Sequence, residues 1–382
     1  VIFSGCAQTP AGPTATATSG PRAIETPLQA CPLAPAPNGP QVLASSLQGP
    51  DDLAFDNSGR LLFSDVSAGT VSVLDADGSI QRIAGGLRSP EGIVVQADGR
   101  ILVAEQGRNR IVSLEPESGA VIPWRTFVNR SASEGIDGIG PLLPATDATG
   151  QPLADASDVI VPDSPNGVVW KVTPDGKTAT VMATGMTRPV GAARDAQGRI
   201  LVADEGGALW ILESSPRRFA TLSTPDDVVV AHDGEIFVNT LGDNAIHTFD
   251  SSGHAVRVQT GIVQPQGIAL DGADNLYYTE GTAGRIDRIV RTFVLGSPSV
   301  RAIDKNTFIL CPAISRAAGF KTALELSSGS SLNTSIRQII QPGAGSSGAL
   351  EVQTTEHSVS IAVHAANGNG NPGLSQVVKL PQ

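Results

Sequence analysis

Along residues 50 to 280, short apolar runs alternate with turn residues, and one phrase returns at fixed spacing. Each copy opens on a proline, reaches a turn residue nine places on, then runs through an apolar segment to an acidic or polar stop at fifteen. The copies begin at Pro50, Pro90, Pro189, Pro225 and Pro265 and stop at Asp65, Glu105, Asp204, Thr240 and Glu280. A sixth, irregular copy opens at Ile136-Asp137-Gly138-Ile139 and closes on Val159 to Asp163. Its 27 positions from Ile136 to Asp163, against 15 elsewhere, mark an insertion through Pro144 to Ser157.

Each phrase predicts two strands joined by a tight turn. A third apolar run follows, such as Thr70 to Leu74 or Arg285 to Ile289, and then turn residues and a fourth, such as Ile80 to Ala84. Four antiparallel strands in about 40 residues make a propeller blade. The last copy has three strands, and Gln41 to Leu47 supplies the missing one, because Ala44-Ser45-Ser46-Leu47 before Pro50 mimics Ala84-Gly85-Gly86-Leu87 before Pro90. Such a swap leaves no open sheet edge. The fold expected is all-β: a six-bladed β-propeller over residues 41–292 whose N-terminal strand closes the last blade. Residues 293–382 alternate with period two between Gly/Ser/Asn-rich turns, which predicts a small β-sandwich.

Composition agrees, with 42 Gly, 27 Pro and only 16% charged residues. The net charge of −11, without a Lys/Arg cluster, excludes a phosphate backbone as partner. It leaves divalent cations and basic partners open. Residues 1–40 read as a leader. Val1-Ile2-Phe3-Ser4-Gly5-Cys6 resembles the end of a bacterial lipoprotein signal, with Cys6 the lipidated residue, and the Ala/Thr/Pro-rich stretch behind it suits a flexible tether. A chance cysteine in a leader is the alternative. No run of about 20 apolar residues follows, so a membrane is met only through a lipid anchor, in the periplasm or at the cell surface. Cys31 and Cys311 flank the repeats; in an exported chain they form a disulfide or remain two free thiols.

The residue just after each repeat's proline, or after Ile136 in the irregular copy, stands at the channel entrance: Asp51, Glu91, Asp137, Val190, Asp226 and Gln266. Four acids on one ring repel each other unless protons or a cation compensate. Calcium takes six to eight oxygen ligands, so Ca²⁺ or another divalent ion on Asp51, Glu91, Asp137 and Asp226, with Val190 and Gln266 lining the channel, is the site expected.

Phrases such as Gly198-Arg199-Ile200-Leu201-Val202-Ala203-Asp204 and Gly99-Arg100-Ile101-Leu102-Val103-Ala104-Glu105 resemble NHL repeats. They are also similar to the six-bladed propellers that include gluconolactonase, senescence marker protein, strictosidine synthase and the paraoxonases. The gluconolactonase group implies a divalent metal at this end of the channel, with Asp51, Asp137 and Asp226 matching its ligand positions. Val190 stands where that group has an Asn ligand, and Ile136 replaces another Asn. The resemblance thus implies two functions. One is a tethered scaffold that binds a protein, glycan or small molecule, as a monomer. The other is a metal-dependent lactone or ester hydrolase with Asp226 activating water. The sequence holds no Gly-x-Ser-x-Gly, His-Glu-x-x-His or Cys-x-x-Cys motif.

Overall fold

The protein is described by a computed structural model covering residues 31, 33–96, 98–128, 135–141, 158–195, 197–328, 333–340, 342, 346–366 and 373–381. Cys6 and the 142–157 part of the insertion lie outside the described residues.

Six four-stranded antiparallel sheets succeed one another along the chain. Their innermost strands are Pro50–Phe55, Pro90–Val95, Gly140–Pro141, Pro189–Arg194, Pro225–Val230 and Pro265–Leu270. The second strand of every blade is buried over its whole length, from Leu61–Asp65 to Leu276–Glu280. These strands have a neighbouring blade on each face, so their sequence runs apolar instead of alternating. Outer strands such as Ala255–Gln259 face water.

Six apolar clusters bind the ring, each shared by two adjacent blades. The closing cluster joins Leu53, Leu61 and Phe63 of blade one to Ala269, Tyr277 and Ile286 of blade six. Gln41–Ala44 is the outer strand of blade six, with Gln41 opposite Arg288 and Val42 opposite Asp287. It is shorter than the expected Gln41 to Leu47. The chain turns at Ser46, whose φ is +66°, though the Leu47 N–H still reaches the Gly284 carbonyl at 2.9 Å.

Two further features are local. Ala120–Thr126 is the outer strand of blade two. Pro123 and the register shift beside it hide its alternation. Trp124, on this strand, is part-buried, and its Nε1 donates to the Pro174 carbonyl at 3.1 Å. In blade three the first strand is reduced to Gly140–Pro141, paired with Val159 and Ile160.

Beyond the propeller, Phe293–Ala302, Thr307–Arg316, Thr334–Ile340 and Ala349–Thr354 form one sheet, joined by the short parallel strand Ala34–Pro35. Leu324–Ser328, Ser358–Ala365 and Gly373–Lys379 form a second. Phe308, Leu310, Val352 and Ile361 fill the space between them, as in a sandwich. Phe293, Ile314 and Val363 pack on Ala273 in a turn of blade six. Cys31 and Cys311 form a disulfide that ties the N-terminal segment to the sandwich.

Innermost strands meet closely around the axis. A Cβ on Gly191 would lie 2.6 Å from the Asp227 Cα and 2.7 Å from the Asp226 carbonyl oxygen. Only backbone movement of the next blade relieves such contacts. We expect Gly191→Ala to cost about 1–3 kcal/mol, read as a lower urea midpoint with unchanged slope.

Candidate functional site

In five blades the innermost strand pairs with its neighbour at the proline, loses register for two residues and resumes three places on: Pro50 then Leu53, Pro90 then Ile93, Pro189 then Ala192, Pro225 then Val228, Pro265 then Ile268. Bulges of this kind re-aim side chains. Here they turn the residue after each proline toward the axis.

The bulges free backbone N–H groups, and these find side-chain partners. Asp52 N–H donates to Ser64 Oγ at 3.0 Å, Asp227 N–H to Asn239 Oδ1 at 2.7 Å, and Gly267 N–H to Thr279 Oγ1 at 2.9 Å. Asp52 itself accepts from Leu53 N–H at 2.7 Å and from Ile93 N–H of the next blade at 2.6 Å. Asp227 does the same with Val228 at 2.7 Å and Ile268 at 3.3 Å. Both are inter-blade staples.

The structure places Asp51, Asp137, Val190, Asp226 and Gln266 around one small cavity of about 20 Å³ at the channel mouth. That is room for about one water. Glu91 stands beside it. The Gln106 side-chain amide donates to Glu91 Oε2 at 2.8 Å and to Asp137 Oδ2 at 3.3 Å. The Arg188 guanidinium binds Asp137 Oδ2 and Glu205 Oε2, both at 2.5 Å. A chain of charge-assisted contacts, Glu91–Gln106–Asp137–Arg188–Glu205, therefore crosses blades two, three and four. Asp204, the stop acid of blade four, fixes the arginine's backbone: its carboxylate accepts from the Arg188 N–H at 2.8 Å and the Thr187 N–H at 3.1 Å.

Burial pushes Asp51, Glu91 and Asp226 well above the usual carboxylate range, and their mutual repulsion together with Asp137 adds to it. Burial likewise raises Asp227, to about 7 against two opposing backbone N–H bonds. Asp137 and Glu205 hold Arg188 firmly protonated in spite of burial.

Sequence reasoning missed three members of this network. Gln106 and Glu205 stand sixteen places after their repeat's proline, and Arg188 one place before its own. In the other copies those two columns hold unrelated residues, such as Gly49 and Thr224 or Val66 and Leu241, so the repeat gives no signal for them.

Two of the four expected metal ligands are engaged by neighbouring side chains. Asp137 is committed to Arg188 and Glu91 to Gln106, and no three His, Cys, Asp or Glu side chains among the described residues form a group able to hold an ion. Val190 adds an apolar, buried wall where blade four would need a ligand. The mouth is a narrow ring of buried acids, with the Arg188 guanidinium bound to Asp137 beside it.

The fold is that of a six-bladed β-propeller. Solved structures similar to it include a gluconolactonase from Xanthomonas campestris, at 18% identity and a TM-score of 0.53, covering 65% of this chain and 88% of that one. A calcium-binding protein, regucalcin, from Agrobacterium tumefaciens matches at 14% identity and a TM-score of 0.55, over 67% of this chain and 95% of that one. Virginiamycin B lyase from Staphylococcus aureus matches at 16% and 0.51, over 65% and 98%. At these identities the likeness is one of fold, and such a fold hosts unrelated activities. No protein-family profile and no curated protein matches the chain.

Proposed function

We propose that this chain is an exported, membrane-tethered propeller that binds a protein, glycan or small molecule and does not hydrolyse it. One observation carries the reading: Asp137, one of the expected metal ligands, is already ion-paired with the Arg188 guanidinium, which also binds Glu205. The cavity between the carboxylates, about 20 Å³, holds about one water. Export is supported by the lipobox-like segment at Cys6 and by the Cys31–Cys311 disulfide, a bond kept in oxidising compartments. The second reading, a metal-dependent lactone or ester hydrolase, draws on the fold likeness and on Asp226, a buried carboxyl with a raised pKa of the sort a general base needs.

Calorimetric titration with Ca²⁺, together with a lactone and ester panel with and without chelator, separates the two. We expect no calcium site in the wild type and no chelator-sensitive hydrolysis. We expect Arg188→Ala, which releases Asp137 and Glu205, to gain calcium binding. A single tight site in the wild type, lost in Asp51→Asn and Asp226→Asn and accompanied by turnover, sinks the binding reading.

A further inference from the structure

Each innermost strand starts at the mouth, so the turns after Phe55, Leu74 and Leu270 lie at the opposite end of the blades. There, a cavity of about 470 Å³ opens between blades six and one, and the sandwich strand Gly373–Lys379 forms its far wall. That volume is within the range of small-molecule sites. Its floor is apolar, with Leu43, Phe55, Leu61 and Leu74 beside Tyr277. Phe55 and Tyr277 meet edge to face, with ring centroids 4.9 Å apart.

Two donors on its walls lack the partner their chemistry calls for. The first is Arg288, whose guanidinium lies 5.9 Å over the Tyr277 ring and donates to the neutral Gln41 Oε1 at 2.8 and 3.2 Å. Among the described residues no carboxylate forms an ion pair with it. Nearby Asp271 is taken by Tyr277 Oη at 3.1 Å and by Asn275 Nδ2 at 2.9 Å. The second is Gln376, whose Nε2 is buried without an acceptor. In contrast, Arg60 on the same wall is already paired with Asp56 at 2.7 Å. In a chain of net charge −11, a half-buried arginine left without a counter-ion is a ready seat for one negative charge.

We propose that this cleft binds a small molecule with a single carboxylate on an aliphatic or aromatic body. Arg288 takes the carboxylate in its planar fork, Gln376 supplies a further donor, and the body covers Phe55 and the leucines. Arg60 is already neutralised and Asp75 lines the cleft, which favours one negative charge over the two of a phosphate monoester. This gives the binding reading a site and a ligand class, and it rests on that reading.

The probes are octanoate, octan-1-ol and octyl phosphate, titrated calorimetrically into the full chain. We expect octanoate to bind at one site, about tenfold or more tighter than octan-1-ol, the worth of a charge-assisted contact. Arg288→Gln should erase that preference. Ser375→Trp, which fills the cleft from an exposed position, should abolish binding of both and leave the propeller intact. Octanoate that fails to bind, binds no better than the alcohol, binds equally to Arg288→Gln, or yields to octyl phosphate by more than tenfold overturns the proposal. Chelator-sensitive lactone hydrolysis would overturn the binding reading whatever the octanoate isotherm shows. A missing isotherm in a calcium-indifferent protein overturns the cleft alone.

Discussion

Asp226→Asn and Asp51→Asn should make the protein more stable at pH 8 and leave it unchanged at pH 4. Both carboxyls are raised in the folded chain, first by burial and then by neighbouring acids. A raised folded pKa means that the folded protein holds a proton the unfolded chain has already lost. The stability such a group contributes is therefore complete below the unfolded value of about 4. It is lost as pH climbs through the raised folded value. Between those limits the wild type should lose stability as the solution becomes more alkaline. A tenfold difference in proton affinity between the folded and unfolded chain is worth about 1.4 kcal/mol. An amide in place of either acid removes that penalty, which shows as a thermal midpoint above the wild type's at pH 8. Thermal unfolding followed by circular dichroism from pH 4 to pH 8 in chelator reads this directly. Variants that melt below the wild type at pH 8 would mean that the carboxylates are neutralised by something other than protons and Arg188.

This acid cluster is legible in the sequence because the repeat fixes which column faces the axis. Asp51, Glu91 and Asp226 are brought to one end of the channel by a proline bulge that is the same at all five copies, and Asp137 of the irregular blade joins them there. Closure of blade six is legible for a similar reason, since Ala44-Ser45-Ser46-Leu47 repeats a linker found inside the ring. What escaped are departures from the column that serve only one blade. Arg188 matters because a single acid pair, Asp137 and Glu205, faces it, and no periodicity marks it. Nor does the repeat show that the oxygens of Asp52 and Asp227 are spent on the backbone N–H groups of the bulge and the next blade. The cleft at the other end depends on where the sandwich docks, through contacts such as Asn275 Nδ2 to the Phe293 carbonyl at 2.8 Å. A pattern internal to the repeat carries no trace of that docking.

Replacing both Cys31 and Cys311 by serine should cost about 2–5 kcal/mol and loosen both ends of the molecule together. The bond closes a loop of 280 residues. Chain-entropy reasoning puts loops of that size at the upper end of the range, about 5 kcal/mol. Its position makes the loss felt at two places. From Cys31, buried at 1% exposure, the chain runs as the parallel strand Ala34–Pro35 beside Ser315 and Arg316. It then continues to Gln41–Ala44, the strand that closes blade six. The Cys31 carbonyl also accepts the Ser347 N–H at 2.8 Å, so the half-cystine anchors a loop of the sandwich as well. Without the bond, a strand of two residues on one side and four on the other must hold the segment by pairing alone. Fraying there uncovers the edge of blade six formed by Arg285–Ile289, and an uncovered edge invites pairing with other chains. The double variant should show a lower urea midpoint, protease cleavage between residues 31 and 44 and a tendency to associate as concentration rises. An unchanged midpoint with the same resistance to protease would mean that the closing strand and the sandwich contacts suffice, and that the disulfide only records the compartment in which the chain folds.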